Sequence, residues 1–300
     1  MTMIDETGTP ERFDPRQQPP AVPVKITPLR GSVYMLEGSG GNVTVSAGPD
    51  GIFLVDDFYE VMWDELQTAL ARLSSAPVRF VAITHWHPDH IGNNENLART
   101  GAVVLGQARM RARSAQAQYI KEVDMEMPAG RELARPTMTY SDVTTYYLND
   151  EQIEVLASPP SHSDTDSIVV FRRANVIAAG DLYSYGVYPM IDTRSGGSID
   201  GTITEVQRIA DLADDETLIV AGHGPFGPGP PKAAKQTLTE YLTMLTTVRD
   251  RVAAAIKDGH DLEKVLAGKP SADLDPSWGA GMVAPDTFVI SVYDSLLASR

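Results

Sequence analysis

Apolar residues change their spacing several times along this chain, and each change marks an element. Short apolar segments at 32–37, 42–47 and 52–55, separated by Gly and Asp-Gly turns, read as strands. Over 58–73 the spacing lengthens, and Phe58, Met62, Leu66, Ala69, Leu70 and Leu73 share one face of a helix. Residues 79–84 form an apolar run enriched in branched side chains, the signature of a buried strand. A short helix ending at 97–99, a strand at 102–105 and a helix over 109–122 follow. Segment 123–135, with Met125, Met127, Pro128 and Gly130, keeps neither period and reads as a flap or a packed irregular loop. Further strands are predicted at 144–148, 153–157, 167–172, 175–179 and 217–220, with a helix at 202–212 before the last. The stretch 232–257 holds Leu238, Tyr241, Leu242, Leu245, Val248, Val252 and Ile256 at helical spacing. Asp261 is placed to cap a short helix, and 285–297 forms the last one. Strands, then helices, then strands and helices again, with no long linker, predict one α/β domain over 26–300. A Pro-rich, charged arm over 1–25 precedes it, and 222–231 is a Gly/Pro-rich interruption.

Composition narrows the function. The apolar fraction of 42% is ample for a core. The net charge of −15 disfavours a nucleic-acid backbone or an anionic membrane as partner, since both need clustered cations. With no cysteine, disulfides, thiolate nucleophiles and sulfur-rich metal sites are excluded. No apolar run reaches the ~18 residues of a membrane span. The N-terminus lacks a basic start followed by an apolar stretch, so a cytoplasmic protein is expected, with export of a processed form left open.

Histidine then changes the picture. There are six, and five fall in one pattern: His85, His87 and His90 in a His-x-His-x-Asp-His cluster with Asp89, then His162 and His223 downstream. Three imidazoles and a carboxylate within six residues suit zinc, and also iron or manganese. Successive residues of a strand point to opposite faces, so these donors converge only if a turn ends the strand, and Pro88 and Gly92 supply one. His162, Asp181 and His223 each follow a predicted strand, so loops at one end of a sheet can gather all seven donors.

The segments His85-x-His87-x-Asp89-His90, His162, Gly180-Asp181 and Gly222-His223-Gly224 resemble the five ordered motifs of the metallo-β-lactamase superfamily. The intervals are 72 residues from His90 to His162, 19 to Asp181 and 42 to His223. The resemblance covers residues 30–225 and implies an αββα sandwich of two mixed sheets. The helical tail after 231 is similar to many bacterial members described only as hydrolases. The resemblance assigns His85, His87 and His162 to a first metal, Asp89, His90 and His223 to a second, and Asp181 to a bridge, as in the glyoxalase II and lactonase branches. Asp56 is similar to an aspartate that holds a ligand imidazole, or else caps a helix. Asp166 is read as a similar support or as a turn residue. Dedicated β-lactamases usually carry Cys or Ser at Asp181, and one large branch has a nearby Lys that binds the drug carboxylate. Here Leu182, Tyr183, Ser184 and Tyr185 follow instead.

The chemistry so implied is hydrolysis of a small ester, lactone, thioester or amide by water activated between two Zn2+ ions, with Fe or Mn as alternatives. Asp89 would orient the water or carry its proton. One of Tyr183, Tyr185 and Tyr188, with Tyr183 nearest to Asp181, would donate to the oxyanion or simply pack, and Trp86 would wall the pocket or pack. The expected partner is a small molecule. β-Lactam hydrolysis and single-iron oxygen or sulfur-redox chemistry are the rival readings, and a metal-binding protein without catalysis is a third. The Gly222-x-Gly224-x-x-Gly227 match to a dinucleotide fingerprint fails, because Pro225, Pro228, Pro230 and Pro231 prevent a helix from opening there.

Overall fold

The computed structural model describes residues 19–224 and 231–298. The chain opens with four strands, β1 (Lys25–Arg30), β2 (Val33–Glu37), β3 (Val43–Gly48) and β4 (Gly51–Val55), then helix α1 (Trp63–Leu73) and β5 (Val78–Ala82). Two short helices, α2 (Pro88–Ile91) and α3 (Asn94–Arg99), lead to β6 (Val103–Gln107) and α4 (Ala108–Ser114). Next come a hairpin of β7 (Gln118–Ile120) and β8 (Met125–Met127), then β9 (Met138–Tyr140), β10 (Val143–Leu148), β11 (Glu151–Ala157), β12 (Ser167–Phe171) and β13 (Val176–Ala178). Helix α5 (Ile199–Leu212) precedes β14 (Leu218–Val220). The remaining helices are α6 (Pro231–Lys257), α7 (Leu262–Ala267), α8 (Asp275–Trp278) and α9 (Pro285–Ala298).

One sheet has the order β1-β2-β3-β4-β5-β6-β9, antiparallel from β1 to β4 and parallel from β4 to β9. The other has the order β10-β11-β12-β13-β14, antiparallel except for the parallel β13–β14 pair. Alternation along the strands sorts side chains into three layers. Met35, Phe53, Val155, Val169 and Phe171 meet between the two sheets. Their neighbours Leu36 and Leu54 pack outward against Leu66 and Leu70 of α1. On the far side Val170 packs with Val206 and Ile209 of α5 and with Leu238 and Leu245 of α6. Each of these Leu, Ile and Phe side chains is buried, worth about 1.5–3 kcal/mol apiece. The result is the expected αββα sandwich with mixed sheets.

Three expectations are corrected. The helix placed at 58–73 begins at Trp63, after a 3-10 turn at Glu60–Met62. Phe58 keeps its place in the apolar layer but has φ 66°, a left-handed conformation that no helix continues, and its carbonyl accepts from Gly92 N at 2.9 Å. The helix placed at 109–122 stops at Ser114. The Gln118 side chain donates to the Arg113 carbonyl at 3.0 Å, and the chain turns into β7. Segment 123–135 contains β8, paired in register with β7, and a 3-10 turn at Glu132–Ala134. Strands β1 and β9 carried no clear period. Of the arm, residues 1–18 lie outside the described residues, whereas Val22 and Val24 pack on the α1 layer. Residues 225–230 of the Gly/Pro-rich stretch also lie outside them. Among the described residues, no helix is long and apolar enough to cross a membrane.

Candidate metal centre

All seven sequence-chosen donors sit beyond the carboxyl ends of strands. His85 and His87 follow β5, His162 follows β11, Asp181 follows β13 and His223 follows β14. Strands β11, β13 and β14 run parallel to one another, so their ends share one rim of the sheet. His87 is extended (ψ 150°), and Pro88 then starts the single turn of α2. That turn swings Asp89 and His90 away from His87 and splits the motif into two groups.

His85, His87, His162 and Asp181 form one group and Asp89, His90 and His223 the other, with ligand atoms in each within 4.8 Å of one another. Asp181 reaches both. Its Oδ2 lies 3.9 Å from His85 Nε2, 3.8 Å from His162 Nε2 and 3.2 Å from His223 Nε2, while Oδ1 lies 3.2 Å from His90 Nε2. Asp89 Oδ2 is 3.2 Å from His223 Nε2 and 3.5 Å from His90 Nε2.

The outward nitrogens decide what the inward ones can do. His90 Nδ1 faces Asp56 Oδ2 at 2.8 Å. His85 Nδ1 faces Thr84 Oγ1 at 3.0 Å, and that hydroxyl donates to Asp56 Oδ2 at 2.8 Å. His162 Nδ1 faces the Met190 carbonyl at 2.7 Å, and His87 Nε2 faces Asp192 Oδ2 at 3.1 Å. A carbonyl, a carboxylate, or a hydroxyl that already donates elsewhere as Thr84 does requires a ring N–H, which leaves the opposite nitrogen of each neutral ring with a lone pair. Those are His85 Nε2, His87 Nδ1, His90 Nε2 and His162 Nε2, and all turn toward the cluster. His85 Nε2, His90 Nε2 and Asp181 Oδ1 are buried without a hydrogen-bond partner. Orphaned buried acceptors are costly, and cations held by the two groups would satisfy all three. The donor set therefore fits a metal.

Charge distribution agrees. Burial, then the neighbouring His90, pushes the His85 imidazole well below its usual range, and burial with His87 lowers His162 to about 4. Both rings are neutral, as ligands must be. For His90, burial opposes charge, but Asp89, Asp181 and Asp56 outweigh it and raise the ring well above the usual range. For His223, burial is likewise overcome by Asp181 and Asp89, which push it up to about 10. Burial also works against ionising Asp181, but His223 and His90 hold it well below the usual carboxylate range, and Asp89 is held there by His90 and His223.

Asp56 is no helix cap. Its carboxylate accepts from Thr84 N at 2.7 Å, from Thr84 Oγ1 and from His90, so it supports one imidazole from each group. It does so at φ 64°, a conformation held at functional sites by surrounding bonds. Asp166 accepts from Ser163 N and Oγ at 2.8 and 2.6 Å, and thus shapes the loop carrying His162; burial pushes its carboxyl up to about 8. Two glycines allow close approach. A Cβ on Gly41 would lie 2.1 Å from His90 Cε1, and one on Gly222 would lie 2.1 Å from Asp181 Oδ1.

The tyrosines are placed differently from the oxyanion expectation. Tyr183 is buried in the helical layer against Tyr241, and its hydroxyl donates to Thr237 Oγ1 of α6 at 3.0 Å. Tyr188 donates to Asp275 at 2.8 Å. Both have packing roles, the commoner case expected for aromatics on such a loop. Trp86 is also core, under Arg113, whose guanidinium lies 5.9 Å from its ring. Asp192, which holds His87, was not singled out from the sequence.

A sequence model of the metallo-beta-lactamase superfamily matches residues 26–223. No curated protein matches the chain. Solved structures do. A metallo-beta-lactamase from Pontibacter korlensis is 18% identical with a TM-score of 0.59, covering 74% of this chain and 99% of its own. A stereoselective inverting sec-alkylsulfatase from a Pseudomonas species is 15% identical with a TM-score of 0.68, covering 92% of this chain and 51% of its own. A Cronobacter sakazakii metallo-beta-lactamase with a HARLDQ motif is 18% identical with a TM-score of 0.61, covering 78% and 95%. Identities this low speak for the fold alone, but the sequence match spans most of the chain and every donor described above, and the chain belongs to the metallo-β-lactamase superfamily.

Proposed function

We propose that this protein is a two-metal hydrolase of small neutral esters, lactones, thioesters or amides. The observation that carries the reading is the Asp181 carboxylate, with one oxygen turned to His90 and the other to His85, His162 and His223. A carboxylate so placed can bridge two cations. His85, His87 and His162 would hold one, and Asp89, His90 and His223 the other, as zinc or, with the same donors, iron or manganese. Bound there, the cations would lower the pKa of water to about 7 and polarise the substrate oxygen.

The chain's own residues supply the rest. His223 and Asp89, with side chains 32% and 14% exposed, are the donors that meet solvent, whereas His85, His90, His162 and Asp181 are at most 8% exposed. Substrate therefore arrives on the His223 side. Asp89 is ionised and turns Oδ2 to His223 and His90, so Oδ1 is the atom to orient water and take its proton. Leu182 and Tyr183 after Asp181 are buried and place no cation there for a substrate carboxylate.

The test is a comparison of catalytic efficiencies on one zinc-loaded preparation, using neutral esters and lactones, an alkyl sulfate, penicillins and carbapenems. Preference for the neutral esters or lactones supports the proposal. Efficient β-lactam turnover with esters and lactones untouched overturns it.

A further inference from the structure

Segment 190–195 connects to two metal-facing imidazoles at once. The Met190 carbonyl accepts from His162 Nδ1 at 2.7 Å, and Asp192 Oδ2 faces His87 Nε2 at 3.1 Å. The Asp192 backbone N–H donates to the His162 carbonyl at 2.9 Å, so the same residue binds the loop that carries His162. Asp192 is fully buried, and its second oxygen accepts from Ser195 N at 3.0 Å. The segment is in turn gripped from outside. Glu122, in the connection between β7 and β8, accepts from Thr193 N at 3.3 Å and Thr193 Oγ1 at 3.0 Å. Arg194 lies over the Tyr119 ring at 5.3 Å. The hairpin is anchored by buried Ile120 and by the Lys121–Asp294 ion pair to α9. Glu122 Oε2 is buried without a partner, so the Thr193 contacts hold a desolvated side chain.

We propose that segment 190–195 is a brace for one metal only, with Asp192 as the positioning residue that makes His87 offer Nδ1, and that the β7–β8 hairpin clamps this brace through Glu122. The proposal rests on the metal-centre reading. Its logic is one of proton placement. The carboxylate of Asp192 keeps the N–H on His87 Nε2, which leaves Nδ1 as the ligand atom. Without it, the ring loses the partner that fixes its orientation and raises the basicity of Nδ1, and a form with Nδ1 protonated, which cannot bind, becomes accessible. The other group is immune, because His90 is held by Asp56 and not by the brace. A general loosening of the fold would weaken both metals alike, whereas loss of the brace weakens one.

The test is a Zn2+ titration against a competing chelator, with 15N long-range NMR of the histidine rings before and after zinc is added. Wild type shows two sites, with His87 protonated on Nε2. In Asp192→Ala, affinity falls by about 10–100-fold at one site and stays within about twofold at the other, and the His87 signals recorded before zinc is added lose the single Nε2-protonated pattern that the wild type shows under the same conditions. Asp192→Asn keeps one acceptor oxygen, enough for His87 Nε2 or Ser195 N but not both, and is expected to weaken the same site alone, which keeps the test open if the alanine variant does not fold. Glu122→Ala weakens that site too, with the His87 tautomer retained, and Glu122→Gln restores it because an amide oxygen still accepts from Thr193. Equal weakening of both sites, or unchanged binding in folded Asp192 variants, overturns the proposal. A wild type that binds no zinc overturns the metal-centre reading as well, and the wild-type titration alone tells these two failures apart.

Discussion

Replacing Asp56 with Asn perturbs both groups of donors through one atom. Asp56 Oδ1 accepts from Thr84 N at 2.7 Å, and an amide oxygen there keeps that bond. Oδ2 accepts from Thr84 Oγ1 and His90 Nδ1, both at 2.8 Å, and an NH2 in its place turns donor against donor. The backbone is not a confounder, because φ 64° suits Asn as well as Asp. Relief of the conflict requires His90 to move its proton to Nε2, which faces Asp181 at 3.2 Å and is needed as a metal ligand. Two charge-assisted bonds are lost, each worth about 1.5–3 kcal/mol. Part of this is offset, since burial pushes the Asp56 carboxyl up and Asn removes that buried charge. A net loss of about 2–3 kcal/mol in metal-free stability is expected, read by urea denaturation. Zinc affinity falls by about 10–100-fold at the His90 site. A variant with unchanged stability and two tightly bound zinc ions would refute the assignment of Asp56 as the support of His90.

Gly222→Ala puts a Cβ 2.1 Å from Asp181 Oδ1, and the bridge must shift; a zinc titration should show both sites weakened, and a melt a cost of about 1–3 kcal/mol. Asp89→Asn keeps size but removes the group that takes a proton, so turnover should fall by about 100-fold, checked by steady-state kinetics on zinc-loaded protein. The raised His223 pKa of about 10 fixes a pH dependence. Its stabilising charge in the metal-free chain is fully present below the usual His range near 6.5 and is lost as pH rises through about 10. Metal must displace that proton at pH 7, so zinc binding should release protons and tighten as pH rises toward 10; calorimetry in buffers of different ionisation enthalpy checks this, and zero proton release would contradict it.

The clustering of these seven side chains was legible because four of them lie within six residues and the others follow strands with a clear period. Short-range spacing encodes a turn, and His87-Pro88 delivers it. Asp56 was half legible: its position after a strand is visible, but whether its carboxylate reaches a helix N–H or an imidazole depends on the left-handed backbone at that residue. Asp192 was not legible at all. It lies 105 residues from His87 and sits in a loop without a period, so only the fold brings them together. Tyr183 shows the converse. Nearness to Asp181 in sequence suggested the site, but the residue after a 3-10 turn points into the α6 layer. The hairpin at 118–127 was hidden for a similar reason, since three-residue strands are too short to establish alternation.

The central claim is that Asp181 stands between two metal ions. Anomalous diffraction at the zinc edge on zinc-loaded crystals tests it directly. The account requires two peaks about 3.5–4 Å apart, one among His85, His87 and His162 and one among Asp89, His90 and His223, with Asp181 touching both. A single peak with His223 unligated would contradict it and favour a mononuclear site.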